Sequence, residues 1–134
     1  MKEALRHELQ LGLQVLDLSL DEDQVDMLLN YVELIEKWNR VYNLTAVREP
    51  AEMLTHHLLD SLAVVGPLLR ETDGRPIRLL DVGSGAGLPG VVIAIACPQV
   101  EVTCVDTVAK KAAFLRQVAG SLGLVNLHGL DAAV

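Results

Sequence analysis

The sequence predicts an α/β protein in which N-terminal helices precede the first half of a doubly wound parallel sheet. Three observations predict it. Residues 2–72 carry apolar side chains at helical spacing. From Ile77 onward, short apolar runs alternate with helical stretches. The first of those runs ends in LLDVGSGAGLPG (79–90), where Gly83, Gly85, Gly87 and Gly90 follow a strand of buried make-up.

Lys2 to Leu18 reads as an amphipathic helix with Leu5, Leu9, Leu13 and Leu16 on one side. In the second helix Asp21 is the cap, Gln24 the third helical residue, and Leu20 can staple to Val25. Its stripe is Val25, Leu28, Leu29, Val32, Ile35 and Trp38, and it runs to about Arg40. VYNLTAVREP (41–50) is a short polar connection, and Pro50 fits a helical first turn. Residues 51–69 continue as helix, with Gly66-Pro67 as the expected kink, and 72–76 form a turn cluster. The alternating part then reads strand Ile77–Val82, helix Leu88–Ala96 stopped before Pro98, and strand Val100–Asp106. A helix capped by Thr107 reaches Leu122, where Gly123 suits its end, and a third strand begins over Val125–His128. This βαβαβ order implies parallel strands with right-handed crossovers. The expected division is a helical region over 1–75 and half of a cofactor-binding domain over 76–134. Half a sheet leaves apolar faces uncovered, so the chain reads as the N-terminal part of a longer one.

Composition removes several function classes. The 134 residues are 51% hydrophobic with a formal net charge of -7, which argues against a stand-alone nucleic-acid binder. No run approaches the roughly 20 apolar residues of a membrane helix, and MKEALRHELQ lacks a signal-peptide core, so a cytoplasmic location is expected. Cys97 and Cys104 lie in apolar stretches without zinc-type spacing and read as buried free thiols.

A strand, a glycine turn and a helix start form a nucleotide-type corner. GAGLPG (85–90) satisfies G-x-G-x-x-G, which keeps a nicotinamide cofactor in play. The fuller pattern is D-x-G-x-G-x-G from Asp81 to Gly87, and Leu88 takes the third-glycine position counted from Gly83. An acid in that strand suits S-adenosylmethionine, whose ammonium Asp81 can help hold. Asp106 closes the second strand about 20 residues after the loop, where an acid meets ribose hydroxyls. Its alternative role is to cap the following helix.

Residues 38–64 (WNRVYNLTAVREPAEMLTHHLLDSLAV), 78–98 and 105–127 closely resemble the bacterial small-subunit ribosomal RNA methyltransferases of the glucose-inhibited division protein B family. NLTA, HxLDSL and DVGSGAGLPG carry the resemblance. It implies a Rossmann-like S-adenosylmethionine-dependent methyltransferase acting on N7 of a guanosine in 16S rRNA of the small ribosomal subunit. Carried over by motif, Gly83 and Leu88 are cofactor-loop positions with Gly85 and Gly87 beside them, and Asp106 is the ribose-facing acid. A family residue pair near the adenine would begin at Val134. His56 stands where the family often has Arg, and Thr107 where it often has Ser.

Guanine N7 offers a lone pair without losing a proton, so no general base is required and positioning carries the rate. Asn43 and Thr45 are substrate-side candidates or local turn formers. Arg48 and His57 either contact phosphate or fold back on Asp60, with the structural role preferred for His57. Trp38 reads as part of its helix stripe rather than a base platform, and Lys110, Lys111 and Arg116 as solvated charge. Two alternatives stand beside the rRNA reading: a methyltransferase acting on a small molecule or protein, and an NAD(P)-binding oxidoreductase. The chain as given is expected to bind cofactor weakly and to transfer no methyl group.

Overall fold

The computed structural model describes residues 2–42, 51–83 and 87–132; of Tyr42 and residues 51–55 it describes the backbone. Four helices come first: α1 (Lys2–Val15), α2 (Glu22–Tyr42), α3 (Ala51–Leu62) and α4 (Val65–Thr72). Then β1 (Ile77–Val82), α5 (Gly90–Ala96), β2 (Val100–Asp106), α6 (Ala109–Leu122) and β3 (Leu127–Asp131) alternate. The strands form one parallel sheet in the order β1-β2-β3. The expected α/β class and strand–helix alternation are thus present.

Several boundaries differ from expectation, each for a local reason. The first helix ends at Val15 because Asp17 takes a left-handed conformation (φ 55), and the Leu18 amide returns to the Leu13 carbonyl. The second runs two residues past Arg40. The break between α3 and α4 falls at Ala63-Val64, ahead of Gly66-Pro67, so Pro67 stays within the first turn of α4, where an N–H is not needed. Gly90, not Leu88, begins α5. Thr107 does not cap α6; Val108 precedes the helix, and its amide donates to Asp106 Oδ1 at 2.8 Å. Gly123 closes α6 with φ 67, as expected. The third strand starts at Leu127, since Val125 is 90% exposed and Asn126 is turned inward.

Register explains the layers. Asp81, Cys104 and Gly129 stand side by side across the sheet on one face. Above them, a Cβ on Gly90 of α5 would sit 2.5 Å from Cys104 Sγ, and one on Gly129 would sit 3.0 Å from the Ala112 carbonyl of α6. Both connecting helices therefore cover that face. The opposite face shows Leu80, Val82 and Leu130 at 64%, 51% and 51% exposure. A third layer, α2, lies across α5 and α6, with α3 against α1, α2 and α5. Leu5, Leu9 and Leu13 of α1, Leu28 and Ile35 of α2, and Ile93, Val102 and Phe114 belong to one hydrophobic cluster. Trp38 stands edge-on to Phe114, ring centroids 5.3 Å apart, so it belongs to this packing as its stripe position predicted.

The expected capping box at the start of α2 is present. Asp21 Oδ1 accepts from the Gln24 amide at 2.8 Å, and Gln24 Oε1 accepts from the Asp21 amide at 2.9 Å. The same Gln24 donates its side-chain amide to the Ile95 carbonyl at 3.0 Å, closing the end of α5. Pro98 has no N–H for the Ala94 carbonyl, and buried Asn126 supplies one instead. Its Nδ2 donates to Ala94 O at 3.0 Å and to Val100 O at 2.9 Å, with Cys97 O at 3.4 Å. Helix end, strand start and the entry to β3 are thereby fixed to each other.

Asn126→Ala is expected to lower folding stability by about 2–3 kcal/mol, because two buried carbonyls lose their donor. Asn126→Asp should cost more, since acceptor then faces acceptor. Urea denaturation of the three proteins checks the order.

Candidate cofactor site

Two of the sequence-predicted residues meet at the carboxyl ends of β1 and β2. The register pairs Val82 with Val105, and the Gly83 amide donates to the Val105 carbonyl at 2.7 Å. Gly83 therefore leaves the sheet beside Asp106. Gly83 has φ 74, and a Cβ there would meet nothing within 4 Å. The glycine is required by its backbone conformation and not by packing against the described residues. Asp106 is 6% exposed, and Oδ1 is held by the Val108 amide. That bond fixes the carboxylate at the strand end. The Ala132 amide binds the Asp106 carbonyl at 3.1 Å, so the chain leaving β3 passes the same acid.

Gly87 is needed for a different reason. Its φ is 102, and a Cβ would lie 2.3 Å from Val91 Cγ2, 2.8 Å from Leu115 Cδ2 and 3.1 Å from Tyr31 Oη. Its backbone is clamped between α5, α6 and α2, and the residue is buried. Leu88 is half-buried and leans on the core. Gly85 and Val134 lie outside the described residues, as do the substrate-side candidates Asn43, Thr45 and Arg48. His57 is half-buried on α3 next to the core residue Leu58. Its neighbour His56 pairs with Glu8 at 2.9 Å. Arg116 is not simply solvated: it donates to the Gly129 carbonyl at 3.0 Å and stands 3.7 Å from Asp131. Cys97 and Cys104 are buried free thiols. Among the described residues no group of His, Cys, Asp and Glu is arranged to hold a metal.

Asp81 faces the covered side of the sheet. Its Oδ2 accepts from the Gly90 amide at 2.9 Å, so one carboxylate oxygen ties the strand to the first residue of α5. Burial pushes its carboxyl up from the ordinary value of 3.8, and the Gly90 N–H pulls in the other direction. The sequence pointed to Asp81 as a partner for an ammonium, directly or through water; in the structure its Oδ2 also holds the Gly90 amide. The sequence reading also passed over Tyr31. A signal for it existed, because Tyr31 follows Leu28 by three residues and precedes Ile35 by four, among the aliphatic residues of the stripe. A buried phenol in such a stripe needs a polar partner.

Gly87→Ala combines a disfavoured backbone with three close contacts and should destabilise by about 2–4 kcal/mol. Gly83→Ala meets no clash and should cost only the backbone part, about 1–2 kcal/mol. Thermal denaturation of the two variants checks the difference. The folded state holds the Asp81 proton to higher pH than the unfolded chain, so ionisation opposes folding. The parent's stability relative to Asp81→Asn should fall as pH rises from 3.8 through the raised folded value, then level off. Urea midpoints from about pH 4 to about pH 8 test this; a difference that grows in the parent's favour would contradict it.

Residues 24–134 match the family model GidB, described as rRNA small subunit methyltransferase G. Curated relatives named ribosomal RNA small subunit methyltransferase G match nearly the whole chain. That of Albidiferax ferrireducens is 63% identical over 97% of this chain and 62% of its own length. That of Methylibium petroleiphilum is 62% identical, over 98% of this chain and 59% of its own length. The chain thus spans about three fifths of these relatives. A solved coclaurine N-methyltransferase bound to N-methylheliamine and SAH has a TM-score of 0.47 at 16% identity, over 99% of this chain and 45% of its own. With a family model covering residues 24–134 and identities above 60%, the chain belongs to the GidB family.

Proposed function

We propose that this chain carries the S-adenosylmethionine-binding corner of a methyltransferase that modifies N7 of a guanosine in 16S rRNA. The observation that carries the reading is the pairing of Gly83 and Asp106 at the ends of adjoining parallel strands, within a chain of this family. In open α/β sheets, ligands bind outside the carboxyl ends of the strands.

The residues fit an adenosyl cofactor. A Cβ on Gly83 would meet none of the described residues within 4 Å, which supports close approach of a ligand to its backbone. Asp106, held by the Val108 amide, offers a fixed acceptor for ribose hydroxyls. When bound, S-adenosylmethionine supplies an electrophilic methyl group. The protein's part is to orient: the glycine turn places the donor, and the acid fixes the ribose. Guanine N7 needs no proton removed, so no residue here is assigned as a base. The expected Asn43, Thr45, Arg48 and His57 contacts to substrate remain part of the proposal.

A dinucleotide fits less well. A pyrophosphate on this turn would need free amides at the start of the following helix. The Gly90 amide is taken by Asp81, and the Val91 amide by the Gly87 carbonyl at 2.6 Å. A carboxylate beneath that turn also repels phosphate. Among the described residues no helix is long and apolar enough to cross a membrane, which suits the cytoplasmic placement that a ribosomal substrate needs.

Equilibrium titration of the full-length natural protein with S-adenosylhomocysteine and with NAD separates the two cofactors; the first should bind and the second should not. Tritiated-methyl transfer to undermethylated small ribosomal subunits, free rRNA and bulk protein then identifies the acceptor. Label confined to protein would overturn the rRNA assignment.

A further inference from the structure

We propose that Tyr31 is a positioning residue for the cofactor corner, its hydroxyl reaching from α2 to the underside of the glycine turn at Gly87. The proposal rests on the cofactor reading above and deepens it. It makes the N-terminal helices part of the binding machinery and not merely a cover.

Tyr31 is 0% exposed and is among the largest fully buried side chains. A phenol in that setting is placed by its hydroxyl as well as by its ring. The hydroxyl stands where a Cβ on Gly87 would be 3.1 Å away. Asp81 and Cys104 both act on it electrostatically. Asp81 in turn holds the Gly90 amide, and Gly90 has room for hydrogen alone between Cys104 Sγ and Asp81 Oδ2, 2.5 and 2.7 Å from an ideal Cβ. Three layers therefore converge on one turn: the sheet through Asp81 and Cys104, the connecting helices through Val91 and Leu115, and α2 through Tyr31. Burial, and then Cys104 and Asp81, push the phenol well above its ordinary 10.0, so it keeps its proton and remains a donor.

The geometry has a direct consequence. Gly83 and Gly87 bracket the turn; a Cβ on Gly87 would strike the core, whereas one on Gly83 would meet none of the described residues within 4 Å. Loosening the turn from beneath should weaken cofactor binding without touching the cofactor. Removing the hydroxyl from beneath the turn should change affinity about tenfold, the scale of one buried polar contact.

The test uses the full-length protein, S-adenosylhomocysteine as probe, and two variants. Tyr31→Phe keeps ring and burial and removes the hydroxyl. Leu28→Ala, one turn earlier on the same helix, empties core volume without removing the hydroxyl. Tyr31→Phe should raise the Kd for S-adenosylhomocysteine about tenfold and raise KM for the donor, with kcat at saturation kept. Without ligand, amide exchange should speed up in residues 87–92. Leu28→Ala should lose more thermal stability, yet bind within about twofold of the parent while folded. Parental affinity and parental exchange in Tyr31→Phe would overturn the positioning role while leaving the cofactor reading intact. Absence of binding by the parent would overturn the cofactor reading, and the positioning role with it.

Discussion

The carboxylate of Asp81 holds the amide of Gly90 across a nine-residue excursion of the chain, and the local order of this fold depends on that bond. It joins the end of β1 to the start of α5, so the glycine turn between them is closed at its base. The bond forms in a half-buried place where ionising a carboxyl is costly, and the N–H offsets part of that cost. Everything around it is shaped to let it form. Gly90 lacks a Cβ that would strike Asp81 and Cys104, Gly87 takes a conformation that favours glycine, and Tyr31 fills the space below.

The helical layers follow from the same requirement. A seven-residue helix such as α5 has too few internal bonds to stand alone. The Cys97 amide continues the helix ladder to Ile93, and the closing carbonyls are met from distant segments: Asn126 reaches Ala94 and Gln24 reaches Ile95. Gln24 also completes the capping box of α2, so one side chain secures two helices that the sequence separates by about seventy residues. The α2 layer thereby becomes part of the support for the turn, and its Tyr31 lies within reach of Gly87.

Much of this was readable in the sequence, where local chemistry decides. The capping box at Asp21, the strands at Ile77 and Val100, and the left-handed Gly123 follow from residue type and spacing. What escaped depends on partners distant in sequence. Val125 has strand propensity, yet the strand waits for Leu127 because Asn126 turns inward to three carbonyls. Thr107 has the right side chain for a cap, but the Val108 amide donates to Asp106 and the helix takes no side-chain cap. Of the expected site, Gly83 and Asp106 come together, while Gly87 proves to be a packing point as much as a loop residue. Asp81 was legible as an unusual acid in an apolar strand. Its partner was not, because only the fold brings Gly90 over it.

The central claim is that the space over Gly83, beside Asp106, seats an adenosyl group. A crystal structure of the full-length protein grown with S-adenosylhomocysteine tests it most directly. Ribose hydroxyls should lie on the Asp106 carboxylate and the homocysteine part along the Gly83 turn, with the Asp81–Gly90 bond unbroken. An adenosyl group bound elsewhere, with Gly83 and Asp106 untouched, would contradict it.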